Sequence, residues 1–115
     1  MNNELQRILG DLIEVDGAQV PVASIFYEGD SKTYVVWTII DEAPALSVDD
    51  VDEYSAVTVD IDIYSPNDFR RILSAVKALM LGNGWIWSGD SPDMYERDTE
   101  LYHKTTTFTK ERFIL

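Results

Sequence analysis

The chain has 115 residues, 45% of them hydrophobic, and sets 21 acidic residues against 9 lysines and arginines for a formal net charge of −12. That length suits a single α+β domain over residues 1–115 with one core, and that hydrophobic share excludes wholesale disorder. The carboxylate surplus opposes nucleic-acid binding, which depends on basic residues displacing counterions from phosphate.

Cysteine is absent, which excludes disulfides and thiolate chemistry and suits intracellular synthesis. No apolar run approaches the length of a membrane span. The N-terminal residues carry neither a basic leader nor a signal-like apolar stretch, so no export signal is expected.

In chain order, Leu5, Ile8, Leu9 and Leu12 recur at helical spacing and predict an amphipathic helix over residues 3–13. Gly10 weakens its middle by about 1 kcal/mol relative to alanine. Asp16-Gly17 turns the chain into a strand over residues 20–27, where Pro21 fits only the beginning or a sheet edge. A hydrophilic turn at residues 28–32 leads to TYVVWTII, residues 33–40, rich in β-branched and aromatic residues and read as a buried strand. The two strands together predict a hairpin. Residues 41–53, DEAPALSVDDVDE, contain acids at Asp41, Glu42, Asp49, Asp50, Asp52 and Glu53 and no basic residue. They are expected as an exposed loop that makes contacts through Ala45, Leu46, Val48 and Val51.

The strongest pattern spans residues 54–85. Val57, Val59, Ile61 and Ile63 alternate with Thr58, Asp60, Asp62 and Tyr64, which predicts a strand with one buried and one wet face. Ser65 is placed as helix N-cap and Pro66 at the first helical position. Phe69, Ile72, Leu73, Val76, Leu79 and Met80 form the apolar stripe of the helix that follows, leaving Arg70, Arg71, Ser74 and Lys77 outside. Gly82-Asn83-Gly84 stops it. A further extended run begins at Trp85, residues 89–93 turn, residues 94–100 bend, and residues 101–109 alternate as a half-exposed antiparallel strand. The order implies an α+β fold: an antiparallel-rich mixed sheet of about four to five strands with two helices on one face.

No set of side chains fills complementary catalytic roles. His103 is the only histidine, and no nucleophile elbow accompanies it. Asp60 and Asp62 share a strand face and could act as a carboxylate pair, but alternating acids are the ordinary solvent side of such a strand. Asp49, Asp50, Asp52 and Glu53 are a conceivable hard-cation cluster, yet they lack the central glycine and spacing of a calcium loop, so neither metal nor cofactor is assigned. Gly82 and Gly84 follow a helix, which rules out a phosphate-cradling turn. Arg70, Arg71 and Lys77 are expected to pair with carboxylates of this chain or a neighbouring copy. Trp37, Trp85 and Trp87 read as core or sheet-face residues, without the interleaved cations of a base-stacking platform.

These pieces are a hairpin such as VPVASIFYEGDSKTYVVWTII, the unit VTVDIDIYSPNDFRRILSAVKALM, and a late MYERDTELYHKTTTFTKERF. Their arrangement resembles the tail-terminator or tail-completion (neck) proteins of long-tailed bacteriophages. The resemblance covers the chain from about Val20 onward and implies an α+β structural protein without enzymatic activity. It further implies a homo-oligomeric ring, commonly a hexamer, in the virion tail after synthesis in the host cytoplasm. The partners would be the tail-tube and head-connector proteins, with DNA passing through unbound and no membrane involved. It does not separate a terminator from a head–tail joiner or a minor tail subunit. On this reading Asp60, Asp62, Asp49, Asp50, Asp52 and Glu53 are candidate lumen or interface acids, and Arg70 and Arg71 candidate interface cations. Reversing the charge at Asp60 and Asp62 is expected to slow DNA passage without unfolding the domain. Two alternatives stand beside it: an acidic DNA mimic that inhibits a basic partner protein, and, last, a metal-dependent hydrolase using Asp49, Asp50 or Asp60.

Overall fold

The computed structural model describes residues 2–48 and 51–113, and the side chains of residues 4–42 and 56–111. Helix α1 (Asn2–Leu9) buries Leu5, Ile8 and Leu9. It is shorter than its apolar spacing predicts, because at Gly10 the N–H still reaches the Gln6 carbonyl at 2.7 Å and Asp11 then takes a left-handed φ of 62°. Leu12 consequently faces solvent, whereas Ile13 returns to the core. Strands β1 (Glu14–Val15) and β2 (Ala18–Gln19) form a small hairpin. Its turn residues Asp16 and Gly17 both have positive φ, 54° and 80°, as the twist of a two-residue hairpin demands.

The strand predicted over residues 20–27 is reduced to β3 (Val22–Ser24), and it runs parallel, not antiparallel, to β4 (Tyr34–Val48). At Ile25 the chain peels away: φ is 72°, and the Phe26 N–H closes onto the Ser24 carbonyl at 2.8 Å. This is a γ-turn of the rare positive-φ kind, costing about 1–3 kcal/mol at a β-branched residue. A parallel connection ordinarily needs a dozen or more residues; here β3 is short enough for residues 26–33 to bring the chain back to the start of β4.

Residues 41–53 correct the expected loop. Apart from Asp49 and Asp50, which lie outside the described residues, their backbone is strand: β4 runs on to Val48 and β5 (Val51–Ser65) returns from Val51, the two antiparallel throughout. Pairing persists because β5 is also held on its other side, from Ser65↔Tyr102 to Tyr54↔Phe113, by β8 (Leu101–Phe113). Asp52 and Glu53 are therefore strand positions.

Ser65 is not the helix N-cap. It ends β5, buried, with its Oγ accepting the Asn67 N–H at 3.1 Å. Helix α2 (Arg70–Gly82) starts a turn later, with Asp68 Oδ1 accepting the Arg70 N–H at 3.0 Å. Pro66 thus lies in the preceding loop. The helix ends as the glycines suggest: the Trp85 N–H reaches the Met80 carbonyl at 3.1 Å, the Gly84 N–H reaches Leu81 at 3.3 Å, and Gly84 alone of the pair is left-handed, at φ 87°. Strands β6 (Ile86–Asp90) and β7 (Met94–Glu96) each pair antiparallel with a different part of β8, so residues 94–96 are strand where only a bend was expected.

The main sheet has six strands in the order β3-β4-β5-β8-β6, with β7 also against β8. The fold is α+β with a mixed sheet. Val35, Trp37, Val57, Val59, Ile61, Ile63 and Phe108 project to one face and form one core with Leu5, Leu9, Ile72, Val76 and Met80 of the helices. Each such side chain contributes about 1.5–3 kcal/mol by leaving water. Among the described residues the other face carries no helix. Strands β4, β5 and β8 continue past the helix layer, which draws the molecule out to 52 × 26 × 23 Å. Among the described residues no helix is long and apolar enough to cross a membrane.

Candidate functional site

The helix-free sheet face is built by the second set of alternating residues in each strand. Register places Tyr34, Tyr64 and His103 in one row, Val36, Asp62 and Thr105 in the next, and Thr38, Asp60 and Thr107 in a third. The first row is a stack of rings. Tyr27 lies on Tyr34 at 4.6 Å, Tyr34 on Tyr64 at 4.7 Å, and Tyr64 on His103 at 4.2 Å between centroids. Tyr27 joins from the loop because its hydroxyl accepts the Ser31 N–H at 3.0 Å and because Gly29 leaves room; a Cβ there would sit 2.0 Å from that hydroxyl.

Asp60 and Asp62 are on this face, side by side as expected, but neither is a free carboxylate. Thr107 Oγ1 donates to Asp60 Oδ1 at 2.6 Å, and Thr105 Oγ1 donates to Asp62 Oδ1 at 2.6 Å. His103 Nε2 lies 2.8 Å from the same Asp62 oxygen, and its Nδ1 lies 3.6 Å from Glu96 Oε2. Since a carboxylate only accepts, Nε2 carries the proton. Burial, then the Asp62 and Glu96 charges and Tyr34, push the Tyr64 phenol up to about 12. Burial, followed by Glu96 and Tyr27, raises that of Tyr34. His103, between Asp62 and Glu96, links β8 to β5 and β7; the phenols stacked beside it stay protonated and offer no activated nucleophile.

Arg70 and Arg71 lie in the first turn of α2, on the helix layer and away from Asp60 and Asp62. Arg70 pairs with Asp68 at 3.1 Å and Arg71 with Asp16, all four well exposed, so water screens both pairs and neither anchors the fold. The Arg70 backbone N–H, aided by its side chain, holds the Asp68 carboxyl below the usual range. At the β6 edge, Lys77 Nζ is 2.8 Å from Asp90 Oδ2 and 4.7 Å from the centre of the Trp87 ring, whose Nε1–H donates to Asp90 Oδ1 at 2.9 Å. Burial alone would raise Asp90, but these donors and the Lys77 charge outweigh it and the carboxyl is lowered.

A cavity of about 450 Å³ opens between the β5–α2 loop and the start of β8, lined by Pro66, Asn67, Asp68, Phe69, Arg70, Asp93 and Tyr102. Its charged groups are partnered: Arg70 with Asp68, and Asp93 with Lys104 at 2.8 Å. Among the described residues no three of His, Asp and Glu converge as metal ligands. The ring stack is what the sequence did not show. Tyr34, Tyr64 and His103 share a parity within their strands, but their alignment depends on register across three strands, and Tyr27 enters from a loop.

Comparison with known proteins leaves the fold and this geometry to speak for themselves: no protein-family model matches the chain and no curated protein matches it.

Proposed function

We propose that the chain is a structural virion subunit that assembles into a ring at the end of a bacteriophage or prophage tail, between tail tube and head connector. The observation that carries this reading is the three-stranded extension of β4, β5 and β8 beyond the helix layer, from Ala43↔Ala56↔Glu111 to Leu46↔Tyr54↔Phe113. Strands that outrun their helices keep both faces and their edges available, and a subunit that works by shape uses such an extension to lie against its neighbours. Acidic positions border it: Asp41 and Glu42 precede it on β4, and Asp52 and Glu53 lie at its tip on β5. Carboxylates in that place keep DNA from adhering to a ring through which it passes.

The rival reading, a DNA mimic, needs free carboxylates spread over one surface. Here Asp16, Asp60, Asp62, Asp68, Asp90 and Asp93 each already accept from a side chain of the same molecule, so that reading has less support.

Electron microscopy of tail tubes mixed with the purified chain tests the assignment. Rings at tube ends are the expected result. Bare tube ends, together with a strict monomer that binds a basic protein tightly, would replace the tail assignment with the mimic.

A further inference from the structure

We infer that copies of this chain join head to tail by pairing the β6 edge of one copy with the β4 edge of the next, closed by Ile86 and Trp87 against Ile40, Ile25 and Phe26. The inference rests on the ring reading and specifies its seam. Strand β3 reaches β4 only at Val35, Val36 and Trp37; beyond Trp37 the outer side of β4 has no strand among the described residues. The edge opens because of one strained residue. Ile25 still donates to the Trp37 carbonyl at 3.0 Å, and its positive φ of 72° then swings the chain off the sheet. A β-branched residue resists that conformation, so the turn that uncovers β4 is held by its surroundings. Pro44 further along β4 lacks a donor, which confines the usable edge to residues 38–43.

The opposite side of the sheet supplies a fitting strand. Strand β6 is the other edge. It is antiparallel to β8, as β8 is to β5 and β5 to β4, so β6 set beside the next β4 continues an antiparallel sheet. The apolar residues match in height. Ile86 pairs with Thr109, Thr109 with Thr58, and Thr58 with Asp41, the neighbour of the bulged Ile40. All of them are exposed where an isolated molecule would hide them: Ile25 at 70%, Phe26 at 62%, Ile40 at 53%, Ile86 at 68% and Trp87 at 49%. The cations next to β6 are already engaged, Lys77 with Asp90 and Lys110 with Glu4, so the joint rests on strand pairing and these apolar side chains, with no charge pair required. The occupant of each edge is therefore the other edge of a second copy. Two different surfaces in contact give a heterologous interface, which closes into a ring when its rotation divides the circle.

The absence of native cysteine makes the test direct. Ile40→Cys, Ile86→Cys and the double variant are treated with a short bis-maleimide. The seam predicts a covalent ladder from the double variant, dimers from an equal mixture of the two single variants, and nothing from either single variant alone. Ile40→Lys and Ile86→Lys should each abolish multimers without shifting the melting temperature, since both side chains lie outside the core. Cross-linking of a single variant with itself would mean a two-fold contact and overturn the seam. Closed multimers by light scattering without the predicted cross-links would also overturn it while leaving the ring. Absence of both, with bare tail-tube ends, would remove seam and ring together.

Discussion

Replacing Asp62 by alanine probes the helix-free face most sharply. Its carboxylate accepts from Thr105 Oγ1 at 2.6 Å and from His103 Nε2 at 2.8 Å, with its own side chain 21% exposed. A hydrogen bond to a charged group is worth about 1.5–3 kcal/mol when buried. On an open sheet face, water compensates both abandoned donors in part, so the pair is worth roughly 1–2.5 kcal/mol in total. For a chain of this length that lowers the melting temperature by about 4–10 °C. Asp62→Asn keeps an acceptor oxygen in place and should cost less than half as much. Urea unfolding followed by tryptophan fluorescence measures both, with the slope unchanged and the midpoint moved. A cycle with Thr105→Val should then show a coupling of at least about 0.5 kcal/mol. If Asp62→Ala unfolds within about 0.3 kcal/mol of the parent, the carboxylate is only a solvated strand residue and its bonds to Thr105 and His103 do not stabilise the fold. Charge reversal at Asp60 and Asp62, expected from sequence to leave folding intact, removes these acceptors; Asp60→Asn with Asp62→Asn is the variant that tests lumen charge in DNA delivery.

Gly29→Ala places a Cβ 2.0 Å from the Tyr27 hydroxyl; it should expel that ring from the stack, weaken the near-ultraviolet dichroism of the tyrosines and cost about 1 kcal/mol. Gly84→Ala, at φ 87°, should cost about 1–2 kcal/mol, whereas Gly82→Ala, with no atom in the way of its Cβ and no positive φ, should gain about 0.4–1 kcal/mol; equal effects in thermal melts would contradict the assigned helix stop. The Tyr64 phenol, raised from 10.0 to about 12, favours the protonated form in the fold. Its contribution is therefore complete below about pH 10 and is lost as the pH climbs from there to about 12. Urea midpoints should fall across that interval and fall less in Tyr64→Phe, and absorbance titration of that variant should lack the last phenol to ionise.

What could be read from the chain was what depends on near neighbours. The alternation from Val57 to Ile63, the stripe from Phe69 to Met80 and the left-handed stop at Gly84 each follow from a few adjacent residues, and each stands at those positions. The N-cap differs from expectation because Ser65 is taken up in a buried turn with Asn67, which local sequence does not reveal; the cap position falls to Phe69, whose side chain caps nothing. The parallel direction of β3 hinges on one strained residue, Ile25, whose type argues against the φ it adopts. Residues 41–53 looked like loop because acids are poor strand formers, yet β8 on the far side of β5 extends the ladder from a distance. The ring stack and the acid–threonine pairs were hidden for the same reason: Tyr34, Tyr64 and His103 lie far apart in sequence, and only the register makes them a row.

Copies of the chain meet, on the reading above, at the two open strand edges. Amide hydrogen exchange, compared between micromolar and near-millimolar protein, reads those edges residue by residue. Joined edges predict concentration-dependent slowing at residues 38–41 and 86–90, with the interior of α2 unchanged. Slowing confined to the Tyr64–His103 face, or identical exchange at both concentrations, would contradict the account.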